Sequence, residues 1–326
     1  MTYSEAILDA LRHLMRERRE CFCIGQGLWS PWYVGSTMRD LEKEFGTARV
    51  IDTPVSEAAT TAAALGAALG GYRPVVVHPR VDFAVLAMDA MVNQAANWNH
   101  MFGGGIPVPL TIRAIINRGG EQGAQHSQAL HAWFAHVPGL RVVMPATPAD
   151  ARDLLVASVL CDDPVLYLDD RWLYELEEEV GPVRSMDLRD VLPRVRCAGS
   201  DITLIGTGHS AHLCKQAAAV LARENISAEV IDMPVISPIT PTAAAVLQDS
   251  VRHTGRLLAV DGGWATCGFA AELVTLAAEA LPTSVWKAAP ARLTLPATPA
   301  PTNGRLEAQY YPTAESVAAR ARTLLA

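Results

Sequence analysis

Short apolar runs alternate with longer stretches of helical periodicity, and this alternation constrains the fold more than any other feature of the chain. The runs are Phe22-Cys23-Ile24, Val50-Ile51, Val75-Val76-Val77, Leu110-Thr111-Ile112, Val142-Val143 and Val165-Leu166-Tyr167. Each is too short for a helix and too apolar for a surface strand, so they read as buried strands. Helical patterns between them predict a mainly parallel sheet covered on both faces. The first helix is marked by Thr2 and Glu5 at capping-box spacing, with Ile7, Leu11, Leu14 and Met15 forming one apolar stripe.

A charged, Pro-containing stretch from Glu175 to about Pro193 breaks the rhythm, which restarts at Ile202-Thr203-Leu204-Ile205. We therefore expect two α/β domains, over residues 1–185 and 200–326, with 186–199 as a linker. The second repeats the alternation with Glu229-Val230-Ile231, Leu257-Leu258-Ala259-Val260, and helical patterns around Ala211 to Leu221 and Ala270 to Ala280. Leu295-Pro296-Ala297-Thr298-Pro299-Ala300-Pro301 is too rich in proline for regular structure, and Ala314 to Leu325 reads as a closing helix.

Of the 326 residues, 50% are hydrophobic and 19% charged, enough to bury two ordinary cores. A net charge of -7 without a Lys/Arg stripe argues against nucleic acid as a partner. No uncharged apolar run is long enough to span a bilayer, and the start lacks a basic segment followed by an apolar core, so the expected location is cytoplasmic. Six cysteines, at 21, 23, 161, 197, 214 and 267, are scattered through mostly apolar segments and are expected as buried free thiols.

Glu57 follows Asp52-Thr53-Pro54-Val55-Ser56 and opens the run Ala58 to Gly71, where almost every side chain is small. Such a helix lets another backbone or subunit approach closely. Two readings fit Glu57. It is either a solvated carboxylate stabilised by the helix dipole, or a buried one exchanging a proton with a ring nitrogen, its pKa raised by desolvation. Spacing alone leaves both open. Val77-His78-Pro79-Arg80-Val81-Asp82-Phe83 ends a strand and opens a helix, the place where parallel sheets collect ligands. Phe83 there is either a site aromatic or a core staple. Asp89 and Asn93, four apart, are expected to bond locally.

His126 stands in the loop Gly119-Gly120-Glu121-Gln122-Gly123-Ala124-Gln125-His126-Ser127-Gln128, dense in backbone donors and polar side chains, and is either a surface histidine or a substrate-side group. His131 and His136, separated by about 140° on a helix, do not share a face for a metal. Gly25-Gln26-Gly27 lacks the third glycine of a dinucleotide fingerprint, and Asp261-Gly262-Gly263-Trp264 reads as a strand-end turn rather than a phosphate cradle. No metal ligand is assigned to this chain.

Taken together, Asp52-Thr53-Pro54 through Glu57, Met88-Asp89-Ala90-Met91-Val92-Asn93-Gln94-Ala95-Ala96, Gly123-Ala124-Gln125-His126-Ser127-Gln128 and Ala135-His136-Val137-Pro138-Gly139-Leu140 through Pro145 resemble a known family. It is the beta subunit of the thiamine diphosphate-dependent decarboxylating component of 2-oxo acid dehydrogenases, in the transketolase-like superfamily. The resemblance extends over nearly the whole chain. It implies a pyrimidine-binding transketolase-like domain followed by a transketolase C-terminal-like α/β domain. It also implies that Glu57 exchanges a proton with the cofactor's aminopyrimidine, that Phe83 is the stacking aromatic, and that His126 lies beside the substrate and transfers protons.

Two departures shape the expectation. Where many such beta subunits have Gln-Phe-Ala-Asp-Phe, this chain has Pro79-Arg80-Val81-Asp82-Phe83, which offers Arg80 to an acidic substrate group. No Gly-Asp-Gly is followed about 25 to 30 residues later by Asn, the family pattern that holds Mg2+ and the diphosphate. The resemblance therefore implies a separate alpha subunit holding magnesium diphosphate, an α2β2 heterotetramer with shared cofactor sites, a small 2-oxo acid substrate, and a lipoyl acyltransferase as acceptor. A split transketolase-like carboligase subunit and a non-catalytic regulatory subunit are the alternatives.

Overall fold

The computed structural model describes all 326 residues, which separate into two compact units, Met1–Arg118 with Trp133–Asp190, and Gly119–Ala132 with Val191–Ala326. No helix is long and apolar enough to cross a membrane.

The first unit is built on strands β1 (Cys21–Gly25), β2 (Val50–Asp52), β3 (Arg73–His78), β4 (Thr111–Ile116), β5 (Arg141–Val143) and β6 (Val165–Asp170). Within the unit they run in the order β5-β6-β4-β3-β1-β2, and every pairing is parallel. Residues of β4 and β6 are buried throughout, as expected of central strands covered on both faces. Helix Tyr3–Glu17 begins with the expected capping box at Thr2 and Glu5, and its buried face includes Ile7, Leu11, Leu14 and Met15. That face packs against helix Pro148–Leu160, while the Tyr3 hydroxyl donates to the Pro145 carbonyl at 3.1 Å.

The core of this unit also holds charge. Arg113 on β4 is fully buried and donates to both oxygens of Asp169 on β6, at 2.9 and 2.7 Å, and to Thr37 Oγ1 at 2.8 Å. A bidentate pair with its remaining donors satisfied is the arrangement in which such burial is tolerated. His78, at the end of β3, meets Thr61 Oγ1 through Nε2 at 3.0 Å. Burial pushes its pKa down to about 4, so the ring is neutral at neutral pH.

In the second unit β7 (Arg194–Cys197), β8 (Ile202–Gly206), β9 (Ala228–Asp232), β11 (Leu257–Trp264) and β12 (Ala291–Leu295) form a sheet in the order β12-β11-β8-β9-β7; a short strand β10 (Val235–Ser237) follows β9. All pairs in the five-stranded sheet are parallel except β7 with β9. Helices His209–Ala222 and Ala314–Leu325 close one core over Leu204, Val230, Leu258 and Val260. The closing helix is where the apolar pattern placed it, and β12 ends at Leu295, immediately before the proline-rich stretch. Strand β7 lies inside 186–199, the stretch expected to be only a linker.

All six cysteines are free, but not all are buried: Cys197 is half-buried and Cys267 exposed. Burial pushes the Cys21 and Cys23 thiols up to about 12, so these two are inert packing groups.

Candidate functional site

Glu57 occupies the first turn of helix Glu57–Leu69, where the sequence placed it, and is largely buried. Only 7% of the residue is exposed, and its carboxylate makes no hydrogen bond or ion pair within the chain. Helix Glu57–Leu69 itself explains the exposure pattern: Thr60, Thr61, Ala64 and Leu65 face inward, while Ala58, Ala59, Ala62 and Ala63 are exposed. The helix thus presents a face without bulk beside the buried acid.

Phe83 is half-buried on the short helix Val81–Ala84, five residues beyond the end of β3. Beyond it the chain passes through a wide π-type turn, Asp89–Ala95, before helix Ala96–Met101. Asn93 Nδ2 donates to Asp89 Oδ1 at 2.8 Å, the local bond anticipated from their spacing.

Arg80 lies two residues past β3 and extends from the same edge. Partial burial lowers its pKa, an effect opposed by the charge of Asp82 and reinforced by that of Arg171. Asn117 follows β4 directly and Arg171 follows β6 directly. With its amide oxygen turned toward the two guanidinium groups, Asn117 accepts from Arg80 Nη1 at 2.8 Å and from Arg171 Nη1 at 3.2 Å. Next to them Arg118 pairs with Asp170, and its guanidinium lies 4.9 Å from the Trp172 ring centroid. Sequence reasoning singled out Arg80 but neither Asn117 nor Arg171.

His126 belongs to the second unit, whereas Glu57, Arg80 and Phe83 belong to the first. It ends a single 3-10 turn, Ala124–His126, and is half-buried. The loop that carries it is fastened at several points. Glu121 N donates to Glu307 Oε2 at 2.9 Å, Gly304 N donates to Glu121 Oε1 at 2.7 Å, and Gln122 Nε2 donates to the Gly119 carbonyl at 2.9 Å. Gly123 has φ +73°, and a Cβ there would come within 2.6 Å of Thr302 Oγ1. Only glycine meets both requirements.

His131, five residues on, was assigned no role by its sequence spacing. It is buried, and Nε2 lies 2.9 Å from Asp261 Oδ1. Asp261 also accepts from the backbone of Gly263 at 2.8 Å and of Ala270 at 3.1 Å. Burial acts to raise the carboxyl's pKa, but His131 and the two backbone donors outweigh it and hold it below the usual range. The Asp261-Gly262-Gly263-Trp264 stretch is therefore the end of β11 with a braced carboxylate, not a separate turn.

The site residues fit an aminopyrimidine ring on two grounds: a buried acid with no partner of its own in Glu57, and an aromatic ring, Phe83, near a strand end. Residues 1–175 match the transketolase pyrimidine-binding domain and residues 193–317 the transketolase C-terminal domain. The chain is 37% identical to the acetoin:2,6-dichlorophenolindophenol oxidoreductase subunit beta of Cupriavidus necator, over 84% of this chain and 80% of that one. It is 33% identical to the protein of the same name from Bacillus subtilis, over 97% and 95%. The pyruvate dehydrogenase E1 component subunit beta of Rhizobium meliloti is 35% identical, over 84% of this chain and 59% of that one. A solved structure described as a split gene transketolase, inactive beta4 tetramer, shares the fold with a TM-score of 0.77 at 21% identity, covering 100% of this chain and 98% of that one. The chain accordingly belongs to the transketolase-like superfamily and, within it, to the beta subunits of thiamine diphosphate-dependent 2-oxo acid dehydrogenases.

Proposed function

We propose that this chain is the pyrimidine-side half of a heteromeric thiamine diphosphate enzyme that decarboxylates a 2-oxo acid and passes the acyl group to a lipoyl acceptor. An alpha subunit holds Mg2+ and the diphosphate, in an α2β2 assembly, because this chain lacks the residue pattern for that half. The observation that carries the reading is Glu57, buried and without an internal partner at the start of a small-residue helix.

When bound, thiamine diphosphate supplies a nucleophilic thiazolium carbon that can hold the electron pair released by decarboxylation. Glu57, with no partner inside its own chain, exchanges a proton with a pyrimidine ring nitrogen. Phe83 would offer an aromatic face to the pyrimidine ring. His126 gives or takes the substrate-side proton, and the fastening of its loop limits the positions the imidazole can adopt. Arg80 draws the acidic substrate.

Co-expression with a thiamine-binding alpha subunit, followed by decarboxylation assays with an artificial electron acceptor, tests the proposal. Pyruvate and other small 2-oxo acids, with acetoin alongside them, form the substrate set. The isolated chain is expected to be inactive and the assembled pair active. Full turnover by this chain alone, or an assembled pair indifferent to Glu57→Gln, would overturn it. Transfer of a two-carbon unit from ketose phosphates, with no 2-oxo acid decarboxylation, would instead identify a split carboligase.

A further inference from the structure

We infer that Arg80, Asn117 and Arg171 form a site for a second, non-reacting oxyanion on the substrate, so that the preferred substrate is a 2-oxo acid with an additional carboxylate or phosphate. This inference rests on the function proposed above.

The site is assembled by the sheet. Strands β3, β4 and β6 are consecutive neighbours and parallel, so Arg80, Asn117 and Arg171 emerge from the same carboxyl edge. In open parallel sheets this edge is where ligands bind. Both guanidinium groups donate to one amide oxygen, at 2.8 and 3.2 Å. Their Nη1 atoms are therefore at most about 6 Å apart, close enough for like charges to oppose each other where water is scarce.

A neutral amide oxygen does not offset two positive charges. Two carboxylates of the same edge are committed elsewhere: Asp170 pairs with Arg118, and Asp169 is held by Arg113. Arg171 forms no salt bridge. Asp82 is the carboxylate whose charge acts on Arg80, and Arg171 acts on the same group with the opposite effect. Two guanidinium forks beside the single charge of Asp82 leave an excess of positive charge, which matches one carboxylate or phosphate able to accept from both.

The bound group is not the carboxylate that reacts. An anion held by two arginines loses those contacts as it leaves as CO2, so gripping it would stabilise the ground state rather than the transition state. A permanent anionic group, by contrast, keeps its contacts throughout, and its binding energy serves to position the reacting carbonyl.

The test compares the assembled complex and its Arg171→Ala variant with pyruvate, 2-oxoglutarate as a diacid, and a 2-oxo acid bearing a terminal phosphate. In the wild type, kcat/KM for one of the two doubly anionic substrates is expected to exceed that for pyruvate at least tenfold. Arg171→Ala is expected to reduce that ratio by ten- to a hundredfold, and Arg171→Lys to restore part of it. Binding of succinate and of inorganic phosphate, followed by Trp172 fluorescence, distinguishes the two anions without turnover and is expected to weaken at least tenfold in Arg171→Ala. A second measurement needs no variant: raising the salt concentration should increase KM for the doubly anionic substrate more steeply than for pyruvate. If the complex prefers pyruvate, or the ratio changes less than twofold in Arg171→Ala, the inference is overturned while the proposed function stands. If no 2-oxo acid is decarboxylated, the proposed function fails as well, and the succinate and phosphate titrations then decide the anion site by themselves.

Discussion

Two buried carboxylates, one in each unit, are treated in opposite ways. Asp261 is answered three times by its own chain, by the backbone of Gly263 and Ala270 and by His131. Glu57, at 7% exposure, is answered by nothing in its chain. Folding satisfies the first and leaves the second without a partner in its own chain. A buried charge that the fold itself completes supports architecture, whereas one it leaves incomplete supports chemistry.

The sharpest way to break this contrast is Glu57→Gln in the assembled enzyme. Activity is expected to fall by about 10^2–10^4-fold, while the midpoint of thermal unfolding stays the same because the carboxylate makes no bond within the chain. A large loss of stability with little loss of rate would assign Glu57 to the same class as Asp261. The reciprocal change, Asp261→Ala, should destabilise the chain by about 3–5 kcal/mol, since His131 and two backbone donors lose their acceptor. Chemical denaturation measures it, and a cost under about 1 kcal/mol would mean that the three bonds are not net stabilising.

His78 extends the comparison to a buried base whose partner is a neutral hydroxyl. Its pKa in the folded chain is about 4, below the ordinary value of about 6.5. As pH falls through about 6.5 the unfolded chain takes up a proton that the folded chain refuses, so stability drops until the folded group titrates near pH 4. The contribution is fully present above that window and amounts to about 3 kcal/mol across it. Replacing His78 by Gln should flatten this part of the stability profile; an unchanged profile would show that another group is responsible. The smallest effect is expected at the His126 loop. Gly123→Ala must place a side chain at φ +73° against Thr302, at about 1–3 kcal/mol, and should lower kcat through misplacement of His126.

Much of the fold was legible because buried strands announce themselves. Val75-Val76-Val77 and Val165-Leu166-Tyr167 could be little else. Three strands went unrecognised: β10, only three residues long, and β7 and β12, the edges of the second sheet. Arg194-Val195-Arg196-Cys197 and Ala291-Arg292-Leu293-Thr294-Leu295 are only partly buried, so their apolar signal is diluted by side chains that face water. The resemblance singled out Glu57, Phe83 and His126, but residue spacing could not say whether Glu57 was buried. The convergence of Arg80, Asn117 and Arg171 was illegible for another reason. Their strands are neighbours in space but separated in sequence, so the contact depends on a strand order that no local pattern encodes. The His131–Asp261 pair joins residues 130 positions apart and was hidden in the same way.

The end of β6 carries three consecutive charges, each with a different obligation: Asp169 to Arg113, Asp170 to Arg118, Arg171 to Asn117. Successive strand residues face opposite sides, so a slip of one position would hand every charge to the wrong partner at once. Inserting or deleting a residue here is therefore close to forbidden, while exchanging Arg171, which forms no salt bridge, is not. Lineages descended from this chain should diversify at this edge by substitution at fixed length, and their preferences among anionic substrates should change in single mutational steps.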